Sequence, residues 1–275
     1  MGAAPVTPAP RNNPAARQNG VGSIKVVERA GRVFDVLKQR DTATVADLVS
    51  ELGENRTTIV RLCEVLTSLG LLERASERSM AAYRLGPEVF YLGSLYRQRS
   101  RLRVTAMATL QRMVDATEDS AFLIIPSQKT AICMVRVDGK HWVTSVLLEE
   151  GAPVPYDRGG GSQAILAFLP PAGRDAALDA LGPERAAAAR PRLEEIRAQG
   201  YALSLNELVV ATGAIGAPVF GENATLLGAV SVGGNISRFT EDRHPLLIGV
   251  VLQAGQEVSR AMGYMGPYPP PYADD

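Results

Sequence analysis

Apolar residues recur at helical spacing within residues 44–70, in two runs that a short polar stretch separates. The runs over 45–52 and 59–69 each place their apolar residues at the i, i+3 and i+4 positions of one helix face. Gly53 stands where the first helix should end, and Asn55 stands where the second should be capped. The pattern predicts two short helices joined by a tight turn.

Further patterns flank this helix pair. Residues 23–39 carry one apolar face at helical spacing, and Thr44 is expected to cap the next helix with Asp47 as its capping-box partner. After the pair, apolar runs at 71–72 and 82–85 lie on either side of a polar turn, which predicts a β-hairpin. Three helices followed by a hairpin is the order of a winged helix-turn-helix domain.

The second helix of the pair has polar residues at its N-terminal end and along its outward flank. In a helix-turn-helix, that end of the recognition helix faces base edges in the major groove, and neighbouring donors contact phosphates. The expected DNA-contacting residues, which include the cap of the first helix and one arginine of the hairpin turn, are Thr44, Asn55, Arg56, Thr57, Thr58, Arg61 and Arg78. Pairs of helices in ordinary protein cores share this spacing. The feature that favours DNA binding is therefore the β-hairpin predicted after the helix pair.

The chain changes character after a predicted connecting helix that begins at residue 88. The apolar positions of this helix favour burial against the wing or against a second copy, and the second copy indicates a dimer. Short runs of β-type residues separated by polar turns follow, a pattern typical of an antiparallel meander. The remaining predicted elements are helices over 104–117, 162–170, 172–181, 183–199 and 241–262 and strands over 121–126, 130–137, 142–148, 214–220 and 227–232. Strands flanked by helices in this order indicate an α+β fold with a sheet that helices cover.

Bulk composition narrows the class of protein. The 275 residues are 46% hydrophobic with a net charge of zero, so any DNA binding must rest on a local surface and not on a global basic field. The sequence contains neither a membrane-spanning run nor the apolar segment of a signal peptide, and a cytoplasmic location is expected. Cys63 and Cys133 fall on apolar faces, which predicts buried thiols, and the pattern predicts neither a metal site nor a cofactor.

Several segments resemble, in order, the IclR family of bacterial transcription regulators, over residues 23–262. SIKVVERAGRVFDVL is similar to the family's opening helix, NRTTIVRLCEVLTSLGLLER to its recognition helix and wing, and YRLGPEVFYLG to its linker start. GAPVPYDRGGGSQAILAFL resembles its glycine-rich effector loop. GYALSLNELVVATGAIGAPVF and AVSVGGNISRFTEDR resemble its last sheet strands.

The resemblance implies a regulator that is not an enzyme, assembled as a homodimer or tetramer. Its domains would be a winged helix-turn-helix over 23–87, a linker helix over 88–103 and a GAF-like effector domain over 104–264. A lead over 1–22 and a Pro/Tyr tail over 265–275 are expected to be disordered. Such a regulator binds a palindromic operator in double-stranded DNA and controls a catabolic operon, as a repressor or an activator, in response to a small organic acid or an aromatic-pathway metabolite.

The effector site is expected around the glycine-rich loop at 159–162. A helix that starts there leaves its first amides without internal partners, and these favour an anion without any metal. The candidate effector-binding residues, some carried over from the family and some chosen by position, are Tyr156, Arg158, Gly160, Gly161, Ser162, Asn206, Ala214, Ser231 and Gly233. Ser162 can cap the helix or bind the ligand, and Arg158 is equally consistent with a surface position.

The loop and its surroundings depart from the family pattern at several positions. Ser162 and Gln163 stand where the family has Gly-Lys, and Ala211, Ala214 and Gly233 stand where it has Gly, Cys and Ser. Because a buried carboxylate needs paired donors, these losses favour a larger, flatter effector such as an aromatic acid. Two alternatives stay open: a DNA-binding oligomer without a ligand, and an enzyme that uses the 159–162 loop, although no nucleophile elbow or phosphate-loop lysine supports the enzyme.

Overall fold

The computed structural model describes residues 24–75, 82–141 and 148–272, which divide into two compact units between Tyr96 and Arg97. The described helices are α1 (Lys25–Leu37), α2 (Val45–Leu52), α3 (Arg56–Ser68), α4 (Pro87–Arg99), α5 (Arg101–Thr117), α6 (Gly160–Phe168), α7 (Pro171–Leu181), α8 (Pro183–Gln199) and α9 (His244–Ala261). The described strands are β1 (Ala43–Thr44), β2 (Leu72–Arg74), β3 (Ala82–Leu85), β4 (Ser120–Pro126), β5 (Ala131–Val137), β6 (Pro153–Val154), β7 (Ala202–Leu205), β8 (Thr212–Phe220) and β9 (Leu226–Asn235). The predicted N-terminal lead, hairpin turn and most of the 142–148 strand lie outside these ranges.

The first unit has the predicted winged helix-turn-helix order, and its helix pair is fixed by three local signals. The Thr44 hydroxyl accepts from the Asp47 amide at 3.1 Å, and the Asp47 carboxylate accepts from the Thr44 amide at 2.8 Å. Gly53 ends α2 with a φ of 68°, a conformation in which a β-carbon is strained. Asn55 caps α3 by accepting from the Thr58 amide at 2.8 Å. All three caps were predicted from the sequence.

The wing of the first unit has one strand more than the sequence predicted. β1, the two residues before α2, pairs with β3 in an antiparallel ladder that places Ala43 opposite Tyr83. The resulting sheet has the order β1-β3-β2. Ala43 and Tyr83 are both buried, so this short strand closes one side of the core formed by α1, α2 and α3.

The connection between the units differs in its boundaries from the predicted linker helix at 88–103. α4 ends at Arg99, and α5 begins at Arg101 because the Ser100 hydroxyl accepts from the Arg103 amide at 3.2 Å and caps it. No residue of α4 is buried, and Phe90 and Tyr96 leave 78% and 63% of their surfaces exposed. The sequence thus placed the break three residues too late.

The second unit is built on an antiparallel sheet with the order β6-β5-β4-β9-β8-β7, covered by helices on both faces. Alternate residues of β4 divide between two cores, as the period of a strand requires. Phe122 and Ile124 join the core that α6, α7 and α8 cover, whereas Leu123 and Ile125 join the core that α5 and α9 cover. The predicted α+β architecture is confirmed, with β6 and β7 as strands that the pattern did not reveal.

The C-terminal segment 265–272 is docked through its tyrosines, although the sequence predicted disorder from residue 265 onwards. Tyr268 donates to the Pro218 carbonyl at 2.6 Å, and Tyr272 donates to the Leu169 carbonyl at 3.0 Å. The rings of Tyr264 and Tyr268 contact the ring of Phe220. The tyrosines at every fourth position therefore give the segment enough apolar area and enough hydrogen bonds to dock.

Two further findings bear on the expected class of protein. Within the described ranges, no helix has the combined length and apolar character that crossing a bilayer requires. The same residues contain no cluster of three or more histidine, cysteine or acidic side chains that could hold a metal ion. Cys63 and Cys133 are free and buried, as predicted, and burial raises the pKa of the Cys63 thiol to about 11.

Candidate recognition helix and effector cavity

The recognition helix α3 turns one face into the core and another to solvent. Ile59 and Leu66 are buried and fix the helix against α1 and α2. Arg56, Thr57 and Arg61 are exposed, at the N-terminal end and on the outward flank. Among the described residues, neither of these two arginines forms an ion pair or a hydrogen bond. Their guanidinium donors are therefore available to an external acceptor.

The other predicted DNA-contacting residues differ in how free their side chains are. Asn55 is exposed, but its side-chain oxygen, Oδ1, already accepts from the Thr58 amide and caps α3. The Thr44 hydroxyl is held by Asp47, to which it donates at 2.7 Å. Thr58 is half-buried beside the cap, and Arg78 lies outside the described residues. The structure thus leaves Arg56, Thr57 and Arg61 as the least committed members of the set.

A cavity of about 60 Å³ lies in the second unit, where α6 begins against the sheet. Six of the predicted effector residues line it: Gly160, Gly161, Ser162, Ala214, Ser231 and Gly233. The lining that the sequence did not predict is mainly apolar and includes Phe122, Ile124, Leu148, Val154, Leu208 and Val209. Among the described residues, no charged side chain lines this cavity.

Glycine is required where α6 approaches the sheet. A β-carbon on Gly160 would lie 2.7 Å from the Gly216 amide nitrogen, and one on Gly161 would lie 2.8 Å from Cγ1 of Ile124. The helix begins at Gly160, two residues before the predicted start at Ser162. The amides of Gly160, Gly161 and Ser162 are therefore the first of the helix and have no acceptor within it.

Ser162 does not cap α6, which was one of the two roles that the sequence left open for it. Its hydroxyl donates to the carbonyls of Arg158 and Gly159, inside the first turn of the helix. The Ser231 hydroxyl likewise donates to the Ile215 carbonyl at 2.9 Å. The hydroxyl protons of Ser162 and Ser231 are thus both used within the protein. The donors that remain for a ligand at the start of α6 are the backbone amides of the helix.

A third hydroxyl, that of Ser204, connects the cavity to a charged network. Its oxygen accepts from the Gly159 amide at 3.1 Å, and it donates to the Glu207 carboxylate at 2.8 Å. Glu207 is also bonded by Arg192 and Gln163. The loop that opens α6 is thereby attached, through Ser204 and Glu207, to residues of α8.

Three predicted effector residues do not line the cavity. Tyr156 is fully buried in the core, where its hydroxyl donates to the Ser127 carbonyl at 2.5 Å and burial raises its pKa. The Arg158 side chain is exposed. Asn206 is exposed in a turn, and its side-chain oxygen accepts from the Ala211 amide at 2.8 Å. Tyr156 and Arg158 therefore belong to the segment that precedes α6 without lining the cavity.

Two of the lining residues that the sequence did not predict, Phe122 and Ile124, could have been found from strand pairing. Phe122 and Ile124 alternate on β4, and Phe122 pairs with Ser231 of β9. Side chains paired across neighbouring strands lie on the same face of a sheet. Once Ser231 is assigned to the site, Phe122 follows from the register, but the register itself cannot be obtained from one sequence.

An exposed recognition helix in one unit and a lined cavity in the other define a DNA-binding transcriptional regulator with a ligand-binding domain. Residues 26–76 match the IclR helix-turn-helix domain, and residues 95–260 match the bacterial transcriptional regulator IclR C-terminal domain. The chain belongs to the IclR family of transcriptional regulators. Its antiparallel sheet between helices is the GAF-like arrangement that the resemblance implies.

Individual relatives agree with this assignment. The HTH-type transcriptional regulator KipR of Bacillus subtilis is 29% identical over 248 residues, which are 87% of this chain and 98% of KipR. The HTH-type transcriptional repressor AllR of Salmonella typhimurium is 22% identical over 268 residues, which are 94% of each chain. The crystal structure of an IclR family regulator from Brucella abortus has the same fold, with a TM-score of 0.76 and 19% identity over 87% of this chain and 92% of that one.

Proposed function

We propose that this regulator binds a palindromic operator through α3 and represses transcription until a small carboxylate occupies the cavity at the start of α6. The observation that carries the DNA half is the pair of exposed arginines, Arg56 and Arg61, that have no partner among the described residues. The relative AllR of Salmonella typhimurium is named as a repressor, which supports repression and not activation.

The proposed contacts follow from the positions on α3. Arg56 and Arg61 are assigned to base edges, where one bidentate bond to guanine contributes ~1–3 kcal/mol of discrimination. Thr57 and Thr58 are assigned to phosphates at the helix start, where backbone amides add donors. Thr44, Asn55 and Arg78 remain predicted contacts, and the first two would have to share their side chains with the caps they form.

We further propose that the chain acts as a dimer or a dimer of dimers. One winged-helix unit makes few base contacts, so operator-level affinity requires two units on half-sites about one turn (~34 Å) or a multiple apart. The exposed apolar residues of α4, among them Phe90, Leu92 and Tyr96, support a second copy as the partner of this helix.

The proposed effector is a compact monocarboxylate with an apolar body. The amides of Gly160, Gly161 and Ser162 supply the donors for one carboxylate, and the rest of the described lining is mostly apolar. An apolar cavity that binds benzene has roughly 150 Å³, so a cavity of about 60 Å³ is too small for an aromatic ring as it stands. An aromatic acid, as the sequence favoured, therefore requires that lining side chains such as Leu208 and Val209 move.

The DNA half is tested by a gel shift with the promoter region of the gene. Arg61→Ala should weaken operator binding by roughly 30-fold or more, because a dimer loses ~1–3 kcal/mol of base recognition at each of its two half-sites. Lys38→Ala is the matched control, since Lys38 is exposed at the end of α1 and pairs with Asp35 on the same helix. If Arg61→Ala binds like the Lys38 variant while its circular-dichroism melt is unchanged, α3 is not the recognition helix.

A further inference from the structure

A second cavity, of about 120 Å³, lies between α6 and α8 in the same unit and shares no lining residue with the first. Its apolar wall comes from both helices and includes Leu166, Ala189 and Leu193. Ala188, which also lines it, is exposed, so a small molecule can enter from the surface of α8. The polar groups that line this cavity are Asp157, Gln163, Arg185 and Arg192.

Gln163 presents a buried acceptor that lacks a donor. The residue is only 3% exposed, and its side-chain nitrogen donates to the Asp157 carbonyl at 2.8 Å and to the Glu207 carboxylate. Those two bonds fix the orientation of the amide, because both partners are acceptors. The amide oxygen is buried and has no hydrogen-bond partner among the described residues. Buried acceptors are seldom left unpaired, so this oxygen points to a donor supplied by a ligand or by water.

The charges around the cavity balance. Arg185 donates to both carboxylate oxygens of Asp157, and Arg192 donates to the Glu207 carboxylate and to the Leu203 carbonyl. Each guanidinium has five N–H donors, so both arginines keep donors for a further acceptor. The two cations and two anions sum to zero, which gives no net attraction for a simple anion or a simple cation.

We propose that this cavity binds a small zwitterionic α-amino acid. Its ammonium group donates to the Gln163 amide oxygen, and its carboxylate accepts from the unused donors of Arg185 and Arg192. A short aliphatic side chain packs on Leu166 and Leu193. The cavity, at about 120 Å³, is somewhat smaller than the roughly 150 Å³ of an apolar cavity that binds benzene, so the ligand should be one of the smaller amino acids, such as glycine, alanine or valine.

Calorimetric titration of the full-length protein with glycine, L-alanine and L-valine tests this site, and it involves no DNA. At least one of the three should bind, and the analogues that lack one charge should bind at least about tenfold more weakly, since each loses a charge-assisted hydrogen bond. Propionate removes the ammonium group, and isopropylamine removes the carboxylate. Because propionate can also occupy the first cavity as a compact carboxylate, its affinity for the second cavity is measured by competition with the amino acid. No heat with any amino acid at about 10 mM, or competition by propionate at equal affinity, would overturn the assignment and leave the second cavity to water.

A pair of variants locates the binding. Ala188→Leu fills the cavity without changing a charge, and it should weaken amino-acid binding by at least about tenfold. Ala187→Leu is the control, because Ala187 is exposed on the same helix and does not line the cavity. Circular-dichroism melts establish that both variants are folded. If Ala188→Leu binds the amino acid as tightly as the control does, the ligand occupies another site and the assignment is wrong.

Discussion

At the scale of single residues, the two glycines that open α6 have different neighbours and should respond differently to alanine. The β-carbon of Gly160→Ala would meet backbone atoms only, those of Gly216, Ile215 and Ala202, all within 2.9 Å. Backbone atoms of a central sheet cannot give way cheaply, so this variant should lose ~1–3 kcal/mol of stability or more. Urea unfolding measures the loss. Gly249→Ala, which meets nothing within 4 Å on α9, should be neutral or stabilising.

Gly161→Ala should instead damage the effector site more than the fold. Its β-carbon would lie 2.8 Å from Cγ1 of Ile124 and 3.3 Å from Cβ of Ser231, and both residues line the cavity. Because these contacts are with side chains and not with backbone atoms, the fold should lose less stability than in Gly160→Ala, whereas the cavity loses volume. A carboxylate at 100 times its dissociation constant should add ~2.7 kcal/mol to the wild type and much less to this variant, measured by thermal shift. Equal shifts in both would place the effector elsewhere.

At the scale of elements, the cap at the start of α2 should make the stability of the protein depend on pH. The Thr44 hydroxyl and amide both donate to the Asp47 carboxylate, and these hydrogen bonds hold the pKa of Asp47 below its usual value. A carboxyl whose pKa is lower in the folded state stabilises the protein above its unfolded pKa, and that contribution is lost as the pH falls through the folded pKa. The wild type should therefore be more stable than Asp47→Asn at neutral pH, and the difference should shrink below about pH 4.

Urea midpoints at about pH 7 and about pH 3 measure this difference. Asp41→Asn is the matched control, because Asp41 is exposed just before the same helix and makes no hydrogen bond among the described residues. This variant removes a neighbouring carboxylate and leaves the capping hydrogen bonds between Thr44 and Asp47 in place. A difference between wild type and Asp47→Asn that stays constant down to the lower pH would show that the carboxylate does not hold the cap.

The C-terminal segment gives a second prediction at this scale. Tyr268→Phe removes only the hydrogen bond to the Pro218 carbonyl and should cost about 1 kcal/mol. Tyr268→Ala also removes the ring that packs on Phe220 and should cost ~3–5 kcal/mol. It should expose the segment to carboxypeptidase, which the Phe variant should resist. Equal resistance of the wild type and the Ala variant would mean that Tyr268 does not anchor the segment.

How far the sequence could predict these elements depended on how local their causes are. Thr44, Gly53 and Asn55 were found because each cap is made by side chains within a few residues of the helix end. The start of α6 was misplaced because Gly160 and Gly161 are poor helix formers, and only close packing on β8 explains why a helix includes them. Strand β1 and the packed C-terminal segment depend on partners far away in the chain, which a single sequence does not reveal.

At the scale of the whole molecule, a neutral chain must recognise DNA by placement and not by bulk charge. The net charge is zero, so little of the protein surface attracts phosphate from a distance. Specific binding should then rest on Arg56, Arg61 and the polar start of α3, doubled by symmetry. This is why removing one arginine from each recognition helix is expected to have a large effect on operator binding.

Coupling between effector and operator supplies the last prediction, and it distinguishes a ligand-controlled repressor from a DNA-binding oligomer that ignores its cavity. If a carboxylate weakens operator binding by some factor, operator DNA must weaken carboxylate binding by the same factor, because the two equilibria form a closed cycle. Coupling of this kind is typically 5- to 150-fold. Titrating operator with and without saturating carboxylate, and carboxylate with and without saturating operator, measures the factor twice.

Gly161→Ala should show no coupling while it keeps its affinity for the operator. A carboxylate that binds tightly but leaves operator affinity unchanged would leave the DNA-binding assignment intact and remove the regulatory role of the cavity.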